Sequence, residues 1–144
     1  METGPFHVCS REERAPKPRG IDVPGGLGDR MRTAAFAEWQ AIHAFRWAAA
    51  TFDDVPDALC DEWIAQIEDE QRHYDMIIQR MEELGEDPAA RPVSNRLWLS
   101  LEECTNGRDF CIRIAAAEER GRLAGAMLAE YLADRDPDTA AVLR

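Results

Sequence analysis

From Asp29 onward the apolar residues recur at spacings of three and four, the period of one helix face, and nothing past residue 20 alternates as a strand would. The pattern predicts a first helix from about Asp29 to Phe52, broken by Asp53-Asp54-Val55-Pro56-Asp57. A second helix runs from about Asp57 to Leu84 and ends at Gly85, with Pro88 beyond it. A short helix around Asn95–Cys104 ends at Asn106-Gly107, and a third long helix begins with Asp109 near its N-cap and continues to about Ala133. Asp136-Pro137 then opens a fourth, with Asp as the cap and Pro at the first helical position, and about two turns follow before Arg144. Residues 1–27 hold four prolines and read as an irregular arm, laid on the domain or partly mobile, which leaves residues 28–144 as the helical domain. The expectation is an all-α helical bundle whose fourth core helix is truncated at the C-terminus.

The seams of these helices carry the chemistry. The first reads Met31, Ala35, Glu38, Ile42, Phe45, Ala49, Phe52. The second reads Trp63, Ile67, Glu70, Tyr74, Ile77, Met81, Leu84, and the third Ile114, Glu118, Gly121, Gly125, Leu128, Leu132. Each seam is apolar or small except for one glutamate. His73 follows Glu70 by three residues and projects from the same side of its helix. An ionised carboxylate without a partner is costly in a core. Three of them facing one interior beside a histidine call for a shared positive charge. A metal centre supplies it, since carboxylate and imidazole suit Fe, Mn or Zn. The competing explanation pairs Glu38, Glu70 and Glu118 with Arg72, Arg120 or Arg122. Glu119 lies off the seam and reads as solvated, and His43 is off the face of Glu38 and reads as peripheral. Tyr74 and Asp75 are candidate neighbours of the ligands, and Trp39 flanks Glu38.

The net charge of −11 argues against DNA and makes RNA an unfavourable partner. The one basic cluster, Arg11, Arg14, Lys17 and Arg19, reads as part of a solvated leader. No apolar run is long enough to span a bilayer, and no export signal is recognisable, so a cytoplasmic protein with reduced thiols is expected. None of the four cysteines forms a CxxC pair, and Cys60 and Cys111, among apolar neighbours, read as core residues.

The order Glu, Glu-x-x-His, Glu along successive helices resembles the ligand pattern of ferritin-like di-iron or di-manganese carboxylate proteins. The stretches "AEWQAI" (37–42), "EDEQRH" (68–73) and "AEERG" (117–121) look more closely like an uncharacterised bacterial ferritin-like family. That family is distantly related to the tRNA hydroxylase acting on a prenylated adenosine. The resemblance implies Glu38 as a terminal ligand, Glu70 as a bridge between two metals, His73 on one of them, and Glu118 as the counterpart on the third helix. It implies a dinuclear Fe or Mn centre and an O2-dependent oxidase or hydroxylase acting on an unidentified small molecule. The sequence departs from the pattern in one respect. The second Glu-x-x-His has no match, because a step like that from Glu38 to Glu70 taken beyond Glu118 passes Arg144. The missing ligands would then come from a longer chain or from another one. A groove left by the fourth helix would favour a homodimer. The alternative is a non-catalytic interaction module whose acids make buried ion pairs and hold no functional metal site.

Overall fold

The computed structural model describes residues 1–144, and the chain is an all-α bundle of five helices without a strand. They are α1 (Gly26–Thr51), α2 (Asp57–Glu83), α3 (Arg96–Glu102), α4 (Gly107–Leu132) and α5 (Pro137–Val142). No helix is long and apolar enough to cross a membrane.

α1 and α2 form a hairpin packed along its whole length. Phe52 ends α1, and Pro56, in extended backbone, starts α2. Gly85, at φ +72°, ends α2 because only a residue tolerant of that conformation lets the Glu86 amide reach back to the Met81 carbonyl at 2.8 Å. One end of the hairpin is aromatic. Phe45, Phe52 and Trp63 meet Phe110 of α4, with the Trp63 and Phe110 rings 5.2 Å apart edge to face. At the other end Met31, Phe36, Ile77 and Met81 enclose a second core. A smaller third cluster joins Ala129 and Leu132 of α4 to Ala140 of α5.

α4 is placed by its two ends. Asn106 caps it by accepting from the Asp109 amide at 2.9 Å, so the cap lies three residues before the Asp109 expected from the sequence. Asp54 accepts from the Gly107 amide at 3.1 Å. A side chain at Gly107 would collide with Val55, which fixes glycine there. At the far end Asp136 caps α5, and Arg80 of α2 donates to Thr139 Oγ1 at 2.8 Å and to Asp136 at 3.1 Å. Between these anchorages the middle of α4 is almost wholly exposed.

The N-terminal arm is laid on the domain, one of the two states read from the sequence, and its basic residues stay exposed. Phe6 is buried against Phe36 and Tyr74. Val8 bridges Val93, with the Val93 amide donating to the His7 carbonyl at 2.8 Å and the Cys9 amide to the Val93 carbonyl at 3.0 Å. Arg19 leaves the expected basic cluster and binds Asp29 through Nε at 2.9 Å and Nη2 at 2.8 Å. Asp29 also accepts from Arg91 and from the fully buried Arg32 at 3.0 Å, while Arg32 donates to the Asp87 carbonyl at 2.9 Å. One carboxylate thus ties the arm, α1 and the loop after α2 together. The hydrogen bond from Arg19, outweighing the effect of burial, holds it far below the ordinary carboxylate range. The cysteines differ too: Cys9 and Cys104 are the buried ones, while Cys60 and Cys111 are half-buried.

Asp29→Ala removes the close counter-charge of the buried Arg32 and leaves it only Glu86 at 3.7 Å, so a loss of about 3 kcal/mol is expected in urea unfolding. Limited proteolysis should then cut faster within residues 10–20 than it does in the parent protein.

Candidate metal centre

Glu38 and Glu70 meet across the α1–α2 seam because the hairpin register sets the midpoints of the two helices side by side. Glu70 is 3% exposed and Glu38 is half-buried. His73, one turn beyond Glu70, is exposed on the rim. A donor atom from each of the three lies within 4.8 Å of the others. Glu70 Oε2 is fully buried and receives no hydrogen bond. It is the one buried side-chain N or O atom in the chain left so, which makes it the outlier that needs an explanation.

The arginines that could have neutralised these acids are engaged elsewhere or absent. Arg72 pairs with Asp69 at 2.7 Å, Arg122 with Glu119 at 2.7 Å, and Arg120 makes no ion pair with an acid. None of Glu38, Glu70 and Glu118 has a basic partner within ion-pair distance. The ion-pairing explanation therefore has no support in the geometry.

The electrostatics follow. Burial, then the adjoining Glu38 carboxyl, pushes Glu70 up to about 9. Burial also raises Glu38, against the hydrogen bond it can share with Glu70, and Glu118 adds to the rise. Glu118 is exposed as a residue, yet its carboxyl lines the groove described below. The loss of water there, followed by the charge of Glu70, lifts it to about 7. Glu118 therefore senses the cluster but stands outside the close three-donor group.

The other candidates divide. Tyr74 is buried behind the cluster, with its ring 5.3 Å from that of Trp39 and 6.2 Å from that of Phe6. Trp39 Nε1 donates to the Glu2 carbonyl at 2.8 Å, so the arm closes this side of the site. Asp75 points to solvent and accepts from Gln71 at 2.9 Å. His43 packs on Trp39 and lies away from the donors. The groove expected beside the short fourth helix lies between α2 and α4. It is a trough of about 1010 Å³ floored by Ala34, Ala37, Glu38 and Ala41 of α1. Its walls are His73 and Ile77 of α2 on one side and Glu118, Gly121 and Gly125 of α4 on the other. The run of small residues at four-residue spacing, Ala117, Gly121, Gly125 and Ala129, was the sequence signal for it.

In the metal-free protein the raised carboxyls take up protons on folding. Stability contributed this way is present below the ordinary value of 4.5 and is lost as pH rises through about 7 and then about 9. Chemical denaturation at pH 5 and pH 9 should differ by a few kcal/mol, on the order expected for one fully buried carboxyl. Solvent screening makes the share of Glu118 the smaller one. Glu70→Gln should flatten the profile and raise stability at pH 9.

No curated protein and no solved structure matches the chain. One family model does, over residues 6–143, which takes in the docked arm, all five helices and the three-donor cluster. The chain belongs to that family, described as "Protein of unknown function (DUF455)".

Proposed function

We propose that this chain is a ferritin-like, non-haem metal-carboxylate protein, an O2-dependent oxidase or hydroxylase that uses a dinuclear Fe or Mn centre. The observation that carries this reading is Glu70, a buried carboxylate with an unsatisfied oxygen, held against Glu38 and His73 with no arginine or lysine to neutralise the acids. Two carboxylates and an imidazole from three residues form a hard-to-borderline O,O,N donor set, the kind that selects Fe or Mn over softer ions. Glu70 would be shared between two ions, Glu38 and His73 would each hold one, and Glu118 would approach from the wall of the groove. When bound, the metals would supply redox chemistry toward O2 and a field that stabilises negative charge.

The residues of the chain have their own roles in this reading. Tyr74, Trp39 and Phe6 pack behind the cluster and keep water from its inner side. They cover that side with apolar rings, where each charge interaction is strengthened. The only wide access is from the groove, whose alanines and Ile77 would favour an apolar substrate surface over a charged one. The exposed groove also favours the second reading, a helical interaction module without metal.

The two readings separate on metal analysis. With Fe(II) or Mn(II) supplied anaerobically, the parent protein should retain metal after desalting. An excess of 100 times Kd should add about 2.7 kcal/mol of stability and raise Tm by roughly 5–10 °C. Glu70→Ala and His73→Ala should lose both effects. A parent protein that retains no metal and shows no shift supports the interaction module.

A further inference from the structure

The docked part of the arm reaches across both helices of the hairpin at the level of the donor group. Phe6 is 6% exposed. Its ring lies 4.8 Å from that of Phe36 and 6.3 Å from that of Trp39, both on α1, and 6.2 Å from that of Tyr74 on α2. Phe36 and Trp39 flank Glu38 along α1, and Tyr74 follows His73 in α2. At about 1.5 Å of rise per residue, these contacts fall within roughly one turn of the three donors. The Trp39 indole is held by the same arm, with Nε1 donating to the Glu2 carbonyl at 2.8 Å. Gly4 permits that approach: its φ is +55°, and a Cβ there would stand 2.8 Å from Trp39 Cζ2.

The docked residues are held lightly. Of residues 1–10 only Phe6 and Cys9 are buried, and Ser10 through Arg14, which follow, are exposed. Lifting the arm uncovers one aromatic ring and opens its hydrogen bonds to Val93 and Trp39, with no helix unwound. That is a local opening, distinct from global unfolding.

We infer that residues 2–9 are a strap that sets the affinity of the metal centre, with Phe6 and Gly4 as its positioning residues. This rests on the metal reading above. Phe6 packs against α1 and α2 together, and an ion shared by Glu38, Glu70 and His73 would join the same two helices at the same level. Each selects the helix spacing that the other needs. Phe6 is no ligand; it acts through Phe36, Trp39 and Tyr74. Two binding events that select one arrangement are coupled, and the coupling is reciprocal. The factor by which the docked arm tightens the ion is the factor by which the ion tightens the arm.

The test follows arm and ion separately on the full chain, using Mn(II), and Fe(II) without air. The Cys9 and Val93 amides form the bridge, so their hydrogen exchange reports docking. Metal should slow both by about 10-fold, an ordinary size for such coupling. The Gly107 amide, bonded to Asp54 at the far end of the hairpin, is the reference and should change by less than about twofold. Phe6→Ala should weaken both ions by about the same 10-fold, and Gly4→Val should act in the same direction. Gly4→Val pushes only the exposed end of the arm off Trp39, so it decides the matter if Phe6→Ala disturbs the core. Phe110→Leu, in the aromatic core at the other end, lowers stability and should bind metal as the parent does. Metal that binds without slowing the two bridge amides, or equally well in both arm variants and the parent, overturns the strap and leaves the metal reading standing. A loss of affinity in Phe110→Leu as large as that in Phe6→Ala reduces the arm to general stability and also overturns it. A parent chain that binds neither ion overturns the strap and the metal reading together.

Discussion

Two carboxylates facing each other across the α1–α2 seam are the constraint around which this molecule is arranged. Burial opposes ionisation of both Glu38 and Glu70 unless a positive charge lies between them, and no arginine or lysine of the chain does. An apolar pair at these positions would complete the seam that Ala35, Ile42, Ile77 and Met81 define on either side. Retaining acids there weakens the metal-free bundle at neutral and alkaline pH. A protein that keeps such a weakness at one point of an otherwise regular core behaves as proteins do at functional sites.

The chain shows elsewhere how it neutralises a buried acid when structure alone is at stake. Asp29 is as buried as Glu70, yet it collects Arg19, Arg32 and Arg91 and is held ionised. Its neighbour Arg32 is in turn satisfied by the Asp87 carbonyl. Asp29 thus has three arginine partners, while Glu38, less than three turns further along α1, and Glu70 facing it have none. Both environments come from the same composition, rich in arginine and richer in acid, so a shortage of cations does not explain the difference. The helix faces explain it. Arg72 and Arg122 sit on faces that direct them to surface acids one turn away, at 2.7 Å in each case.

Much of this was legible in the sequence, because helix periodicity reports which residues share a face. The long helices and the convergence of Glu38, Glu70 and His73 follow from spacings of three and four, and the cap at Asp136-Pro137 from the residue types themselves. What periodicity cannot report is whether anything packs against a face. Glu118 lies on its seam as expected, but that seam borders a groove, and so it stands outside the close cluster. The sequence left open whether the arm is laid on the domain, for a different reason. Phe6 and Val8 act through single long-range contacts with Phe36, Tyr74 and Val93, and an irregular segment has no period to announce them. Arg19 looked like one charge in a basic run. Its partner Asp29 lies ten residues on, beyond a turn that sequence alone does not close.

The distribution of charge links the site to the whole molecule. A net charge of −11 destabilises a compact chain through self-repulsion, yet most of the surplus lies on solvated outer faces, where screening blunts it. Several outer acids are also paired one turn away, as Asp69, Glu83 and Glu119 are. The portion screened least is the inner pair of Glu38 and Glu70, in contact with apolar walls and aromatic rings. A divalent cation there would act where the effective dielectric is lowest and each unit of charge counts most. A cation on the outer face would change little. The stability of the bundle and the occupancy of the site would then be one quantity: the same acids that weaken the metal-free core would bind the ion that restores it.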